Sequence, residues 1–367
     1  MKRILLLIKG LNRGGAEQLL VSAAPYLDRS RFAYEVAYLL PTHDAMVASL
    51  REAGLQVGCL NGARGVGWIR RLQRVVREQR IDLLHIHSPY AAIGARAALT
   101  GRRSPRIVYT EHSVWEGYRR ATYWGNLLTF PRNDHVFAVS EHVQASLRYP
   151  RSLPLRMPPV EILYHGIDPS ALPESPGPDE VRSELGIPEG VPVVGCIANF
   201  TPQKAHRFLL EAIALLRRQI PEVRLVLIGA GQLESEVRRH AQNLGLDGSV
   251  VFTGSRPDAP RIAACFDVFA LSSVQEGLSI GLIEAMALGT PAVVTRAGGL
   301  PEVVRNGTEG VVVPPADAQA IAGALRTLLG DSALRRRMGE AARRRALDFD
   351  IRKTVRRIEQ VYEELLA

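Results

Sequence analysis

Along almost the whole chain, short apolar runs rich in Val, Ile and Leu alternate with stretches whose apolar residues return every three or four positions. The first pattern predicts buried strands and the second predicts helices. In the first half, strands are expected at Arg3–Ile8, Glu35–Leu40, Asp82–His87, Arg106–His112 and His135–Ser140. Helices are expected between them at Glu17–Leu27, Trp68–Gln79 and Tyr90–Leu99. The second half repeats the scheme, with strands at Val191–Ala198, Val223–Gly229, Ser249–Gly254, Asp267–Ser272 and Pro291–Thr295. Alternation of this kind builds parallel sheets covered by helices on both faces.

The alternation breaks once, between Tyr149 and Asp179. Pro150, Pro154, Pro158, Pro159, Pro169, Pro173, Pro176 and Pro178 all fall there. Proline fixes φ and removes a backbone donor, so helices and central strands are disfavoured; a short strand at Val160–His165 still fits. The break divides the 367 residues into domains at 1–165 and 166–350, as the length alone suggests. Two arginine-rich helices, Asp331–Leu347 and Ile351–Leu366, close the chain, and the last, about 351–367, is expected to pack back on the first domain.

Composition narrows the class. Apolar residues at 46% and charged residues at 23% describe an ordinary globular protein. The longest apolar runs, such as Ile4 to Ile8, fall far short of a membrane span. No small-residue cleavage site follows that run, which argues against a secretory signal. Cys59, Cys196 and Cys265 are scattered and odd in number, so they offer neither a disulfide framework nor a zinc site and fit a reducing cytoplasm.

Charge is lopsided. Residues 1–165 hold 23 Lys+Arg against 12 Asp+Glu, and residues 166–367 hold 23 against 25. A basic half usually meets an anion: nucleic acid, acidic lipid or a phosphorylated substrate. No nucleic-acid motif accompanies it. The helix from Trp68 carries Arg70, Arg71, Arg74 and Arg77 opposite an apolar stripe. It reads either as a sheet-packed helix with solvated arginines or as a contact for an anionic membrane surface. Trp115, Tyr118, Tyr123, Trp124 and Phe130, among Arg119, Arg120 and Arg132, read as an acceptor-binding or membrane-touching loop. The expectation is a cytoplasmic protein, with peripheral attachment at the inner face of the membrane if these surfaces meet lipid.

The densest chemistry lies between Ser273 and Val294. Ser279 suits a helix N-cap, Gly289 the position after a helix end, and Pro291 prevents continuation. Glu276 therefore precedes a helix and Glu284 lies more than a turn inside it. Free N–H groups at a helix start suit a phosphate or sugar hydroxyl, and a carboxylate beside them accepts hydrogen bonds from hydroxyls. The plain alternative makes both acids solvated. Against it, Leu282, Ile283, Ala285, Met286 and Leu288 make this helix apolar nearly all round, and a buried carboxylate needs a partner.

The pair Glu276 and Glu284 resembles the signature of the retaining glycosyltransferases of family 4, which have the GT-B fold. The likeness continues through Ala297-Gly298-Gly299-Leu300-Pro301-Glu302, Gly310-Val-Val-Val-Pro-Pro, Gly229-Ala-Gly231 and Val251-Phe-Thr-Gly254. It extends at scattered points into the first half, at Gly10-Leu-Asn-Arg-Gly14-Gly15-Ala-Glu17 and Tyr164-His-Gly166-Ile-Asp168. The resemblance implies an α/β protein of two Rossmann-like domains facing each other across a cleft, the first for the acceptor and the second for the nucleotide-sugar donor. It implies hexosyl transfer with retention, from a nucleotide diphosphate sugar (a UDP-sugar foremost) to a lipid-linked or cell-envelope glycan, with no metal and no cofactor.

By the same resemblance, Glu276 holds hydroxyls of the transferred sugar, and Glu284 holds the ribose. Gly277, Leu278, Ser279 and Ile280 offer backbone N–H groups to sugar and diphosphate. Gly14 and Gly15 form a turn that approaches the diphosphate, and His112 faces the sugar near its anomeric carbon. The loop Asn199-Phe-Thr-Pro-Gln-Lys204-Ala-His206 is similar to the one that brings cations to the diphosphate. Lys204 matches, whereas Asn199 stands where arginine is aligned and Ala205 where glycine is usual. His85 and His87 share a strand face and read as cleft-lining or core, without supporting metal ligands. Asp348-Phe-Asp350 has a metal–diphosphate form but reads as a helix cap, and Gly229-Ala-Gly231 alone is a weak dinucleotide signal. Two rival readings remain, a nucleotide-sugar epimerase of the same architecture and a non-catalytic binding protein using the basic half.

Overall fold

A computed structural model of the chain describes residues 1–61, 65–99, 105–148, 157–172 and 177–367. It divides into two compact units, Met1–Gly166 with Ile351–Ala367, and Ile167–Asp350. Much of the proline-rich joint, at 149–156 and 173–176, lies outside the described residues.

The first unit holds β1 (Lys2–Ile8), β2 (Phe32–Tyr38), β3 (Gln56–Cys59), β4 (Leu83–Ile86), β5 (Arg106–Glu111), β6 (His135–Ala138) and β7 (Val160–Ile162). They form one parallel sheet in the order β3-β2-β1-β4-β5-β6-β7. The two-residue period of β1 feeds both faces of this sheet. Leu5 and Leu7 enter a core with Trp68, Leu72, Val76, Ala92, Leu127 and Phe130. Ile4, Leu6 and Ile8 enter the opposite core with Leu20, Leu50, Val361 and Tyr362. The closing helix Ile351–Leu366 thus lies on the second face, where Arg357 pairs with Glu161 at 2.8 Å.

The second unit holds β8 (Val193–Ile197), β9 (Arg224–Ile228), β10 (Val250–Gly254), β11 (Val268–Leu271), β12 (Ala292–Thr295) and β13 (Gly310–Val313). These too are parallel, ordered β10-β9-β8-β11-β12-β13. Both sheets therefore carry the doubly wound order expected of a Rossmann-like unit.

Several boundaries differ from the expected ones for local reasons. The helix expected at Glu17–Leu27 ends at Ala23, because Pro25 forces the tighter turn Ala24–Tyr26. The strand Val160–Ile162 stops short of His165. Strand β3 escapes the hydrophobic pattern: it is a mostly exposed edge strand with a central glycine. Among the described residues, no helix is long and apolar enough to cross a membrane.

Candidate active site

In a doubly wound sheet, ligands gather beyond the carboxyl ends of the two strands where the winding reverses. In the second unit these are β8 and β11. The chain leaves β8 through Asn199, makes a tight turn at Pro202–Lys204, and enters helix His206–Leu216 through Ala205. It leaves β11 through Ser272 and Ser273 and enters helix Ile280–Ala287 under the Ser279 cap, whose oxygen accepts from the Leu282 N–H.

These two loops are sewn together. Val274 N–H donates to the Gln203 carbonyl at 2.8 Å, and the Ser272 hydroxyl reaches the Lys204 and Ala205 carbonyls, each at 3.1 Å. Lys204 Nζ donates to Glu276 Oε2 in a close ion pair, and Ser273 Oγ approaches the same oxygen at 3.3 Å. The Ala297–Leu300 turn clamps the loop from the far side. Gly299 N–H donates to the Glu276 carbonyl, and a Cβ on Gly298 (φ +56°) would lie 1.6 Å from that oxygen. Only glycine fits there.

Glu284 behaves differently. Its neighbours Leu282, Ile283, Ala285 and Met286 are buried, yet Glu284 itself is half-buried rather than enclosed. Among the described residues no protein group bonds its carboxylate, and desolvation pushes its pKa up to about 7. Gly277 and Leu278 are also half-buried, between Glu276 and the cap.

In the first unit the reversal lies between β1 and β4. Gly14 precedes helix Gly15–Ala23 in extended backbone, without a side-chain cap. The Glu17 carboxylate folds back on this turn, so that a Cβ on Gly14 would lie 2.5 Å from its Oε2, and burial pushes it up to about 7. Beyond β4, β5 and β7 stand His87, His112 and His165. His87 Nδ1 lies 3.3 Å from His112 Nε2, and the His112 and His165 rings meet edge-on with centroids 4.7 Å apart. Burial holds His87 and His165 down to about 3, and burial with neighbouring imidazoles holds His112 well below the usual range. Reading His87 as merely cleft-lining or core misses this contact; three histidines following strand ends are the available signal.

The aromatic stretch needs correction. Trp115 and Phe130 are not on a surface loop but fully buried. Trp115 Nε1 and the Tyr109 and Tyr118 hydroxyls donate to the Glu111 carboxylate, which is wholly enclosed beside His112. Of the large apolar residues in that stretch only Trp124 and Leu128 stand out, on helix Arg120–Thr129. In helix Gly67–Glu78, Trp68, Leu72 and Val76 are spent on the core, and Arg71 donates to the Leu60 and Asn61 carbonyls. Gly229 is a packing glycine, since a Cβ there would meet the Ala198 carbonyl at 2.1 Å. Asp348 pairs with Arg345 at 2.8 Å. Among the described residues, no group of three or more His, Cys, Asp or Glu side chains is placed to hold a metal ion.

Comparison with known proteins bears on both units. Residues 178–345 match the model of glycosyl transferases group 1, and residues 13–171 match that of Glycosyltransferase Family 4. A GDP-mannose-dependent alpha-(1-6)-phosphatidylinositol monomannoside mannosyltransferase of Mycolicibacterium smegmatis is 33% identical over 297 residues, covering 76% of this chain and 75% of its own. The N-acetyl-alpha-D-glucosaminyl L-malate synthase of Bacillus anthracis is 27% identical over 307 residues, covering 81% and 78%. The crystal structure of Anabaena HepE in complex with UDP-glucose superimposes with a TM-score of 0.87 at 24% identity, covering 99% of this chain and 100% of that one. The epimerase and binding-protein readings find no support in these likenesses. With its two family matches and a mannosyltransferase relative at this identity, the chain belongs to the group 1 glycosyltransferases of family 4 type, enzymes of the GT-B fold.

Proposed function

We propose that this glycosyltransferase moves a hexosyl group, with retention at the anomeric carbon, from a nucleotide diphosphate sugar to a hydroxyl of a lipid-linked or cell-envelope glycan, without a metal or cofactor. The observation that carries the reading is the Lys204–Glu276 ion pair at the winding reversal of the second unit, followed on the next helix by Glu284, whose carboxylate has no protein partner among the described residues.

In this reading Lys204 takes up the negative charge that develops on the departing diphosphate. Glu276 accepts from sugar hydroxyls and Glu284 from the ribose. Gly277, Leu278, Ser279 and Ile280 present backbone N–H groups at a helix start, while Asn199 offers a hydrogen bond where a second cation is usual. From the first unit, Gly14 and Gly15 let the backbone approach the diphosphate, and His112 faces the sugar. The bond from the anomeric carbon to the diphosphate oxygen breaks, the acceptor oxygen takes its place, and the acceptor's proton leaves with the diphosphate. Before the donor arrives, Lys204 and Glu276 neutralise each other, so neither is a lone charge.

Two donors merit the first trials: UDP-glucose, bound in the HepE crystal, and GDP-mannose, named for the mycobacterial relative. The relative's phosphatidylinositol monomannoside supports a lipid-linked acceptor. So does the surface of the first unit, where Arg70, Arg74 and Arg77 of one helix and Trp124 and Leu128 of another stand exposed on the same sheet face. Exposed arginines near an anionic leaflet each contribute about 1 kcal/mol, and an interfacial tryptophan adds apolar contact.

Calorimetric titration with UDP-, GDP- and ADP-sugars should give one clear binder, whose transfer continues in excess EDTA. Binding of none would sink the reading, and activity that only Mg²⁺ restores would sink its metal-free part. Changing Arg70, Arg74 and Arg77 to glutamine should release the protein from anionic vesicles and leave donor binding intact. Equal sedimentation with neutral vesicles would favour a soluble acceptor.

A further inference from the structure

The contact between His87 Nδ1 and His112 Nε2 is held in place by a chain of fixed rings. His85 is pinned at both ring nitrogens, by the Tyr362 hydroxyl on Nδ1 and by Thr110 Oγ1 at 2.7 Å on Nε2. His87 stacks on this fixed ring, with centroids 4.3 Å apart. It then meets His112 through Nδ1, at 3.3 Å from His112 Nε2. His165 closes the other side of His112 edge-on. The orientation of His112 is therefore inherited from a ring that the closing helix holds in place.

Rings so buried and so close to one another stay neutral, and a neutral imidazole has one N–H and one bare nitrogen. One proton lies between His87 Nδ1 and His112 Nε2, and the remaining atoms decide which ring owns it. His87 Nε2 is buried and has no hydrogen-bond partner among the described residues. A proton there would make it an orphaned buried donor, the rarer and costlier defect, whereas a bare lone pair is tolerated more readily. The His87 proton therefore sits on Nδ1 and is donated to His112 Nε2. His112 must then carry its own proton on Nδ1. That atom bonds to no protein group among the described residues, and His112 as a whole is half-buried.

We infer that His87 is a positioning residue that fixes His112 in its Nδ1–H tautomer, so that His112 meets the donor sugar as a hydrogen-bond donor rather than as a base. The choice matters chemically. A donor next to the anomeric carbon can bond a sugar oxygen as the carbon–diphosphate bond stretches, whereas a bare nitrogen there would compete as a nucleophile or base. The sugar-facing half of this inference rests on the transfer function proposed above; the tautomer does not.

The test is ¹⁵N NMR on histidine-labelled, ligand-free protein, with His112→Gln assigning the resonance. Wild type should show His112 protonated at Nδ1 and bare at Nε2. His87→Asn places an amide nitrogen close to the position of Nδ1 and should keep that state. His87→Leu cannot donate and should let His112 move to the Nε2–H form that free imidazole side chains prefer. With the donor found by titration, kcat in His87→Leu should fall about tenfold, as for one lost hydrogen bond in the transition state. KM should hardly change, and the asparagine variant should recover most of the loss. A His112 proton found on Nε2 in wild type overturns the inference, even if the leucine variant fails to fold. So does a tautomer unmoved by leucine, or a moved tautomer with kcat unchanged. Because the tautomer is read without ligand, a failed donor screen would count against the transfer reading and leave this result standing.

Discussion

The two units share a strand order up to their sixth strand, yet the strand ends that gather their candidate site residues are built from opposite materials. In the second unit the loops after β8 and β11 bring a cation and an anion together, Lys204 against Glu276. In the first unit the ends of β4, β5 and β7 bring together rings that burial keeps neutral. The net charges run the other way: the first half carries +11 (23 against 12) and the second −2 (23 against 25). Excess basicity in the first half thus describes its outer surface, at Arg70, Arg74, Arg77, Arg119 and Arg120, and not the groups at its strand ends. Net charge reports what a domain meets from outside; the local chemistry is set by one or two residues that barely change the total.

If the second site works through charge, removing its cation should have the largest effect. Lys204→Ala is expected to lower kcat by about 10²–10³-fold, the usual loss for one preorganised contact to a developing oxyanion. Glu276→Gln should be informative in the opposite sense. It abolishes most turnover but releases Lys204, so free nucleotide diphosphate should bind at least as well as to wild type. Turnover and calorimetry on the two variants separate these roles. A Lys204→Ala enzyme running at the wild-type rate would mean that its loop does not face phosphate, and the contrast between the units would lose its charged half.

Legibility in the sequence follows the same divide. Glu276, Ser279 and Glu284 lie within nine consecutive residues, so cap chemistry and helical spacing are enough to place them relative to one another. Lys204 lies 72 residues upstream of Glu276; only the family resemblance points to it, and nothing in the spacing announces its bond to that carboxylate. In the first unit the relevant atoms are spread over His87, His112 and His165, and their meeting depends on strand order, which periodicity does not encode. Trp115 and Phe130 mislead because aromatic residues among arginines look the same whether they cover a surface or fill a core. Both rings fill the apolar core beside each other, and the Glu111 carboxylate satisfies the Trp115 N–H there together with the Tyr109 and Tyr118 hydroxyls. Parallel strands with helices on both faces are legible because β1 must bury alternate residues in two cores, and only an apolar run can do so.

A smaller effect concerns protons. Desolvation raises the Glu284 carboxyl to about 7, above its unfolded value, so the folded protein favours the neutral acid there. The stability this gives is full below the unfolded pKa, and it is lost as pH rises towards 7. Ribose hydroxyls prefer the carboxylate, so nucleotide affinity should rise with pH up to about 7 and then level off. Glu284→Gln should flatten that rise and weaken binding above pH 7 by about 1.5–3 kcal/mol, the range for a charged hydrogen bond. Titrations of the free nucleotide at several pH values test both. A pH profile in wild type identical to that of the variant would remove Glu284 from the nucleotide site.

The smallest effect is expected at Ala205, where the loop departs from the glycine usual in similar enzymes. Ala205 adopts φ 47° and ψ 43°, the left-handed region that disfavours any residue with a Cβ. The conformation is held by its neighbours: Ala205 N–H donates to the Pro202 carbonyl at 3.2 Å, and the Ser272 hydroxyl engages the Ala205 carbonyl. The strain amounts to about 1–2 kcal/mol. Glycine would relieve it, while the greater freedom of the unfolded chain would give back about 0.4–1 kcal/mol. Ala205→Gly should therefore stabilise the second unit by about 0.5–1 kcal/mol, a rise in midpoint of only a few degrees for a unit of this size. Its effect on kcat carries more information than its effect on stability. Lys204 immediately precedes the strained residue, and strain kept at a functional site commonly fixes a neighbouring group. If Ala205 stiffens the turn that aims Lys204, the glycine variant will melt higher and turn over more slowly. If kcat is unchanged, the ion pair with Glu276 positions the lysine by itself and the alanine is a tolerated substitution. A lower midpoint would contradict the left-handed conformation at 205, and with it the geometry assigned to this loop.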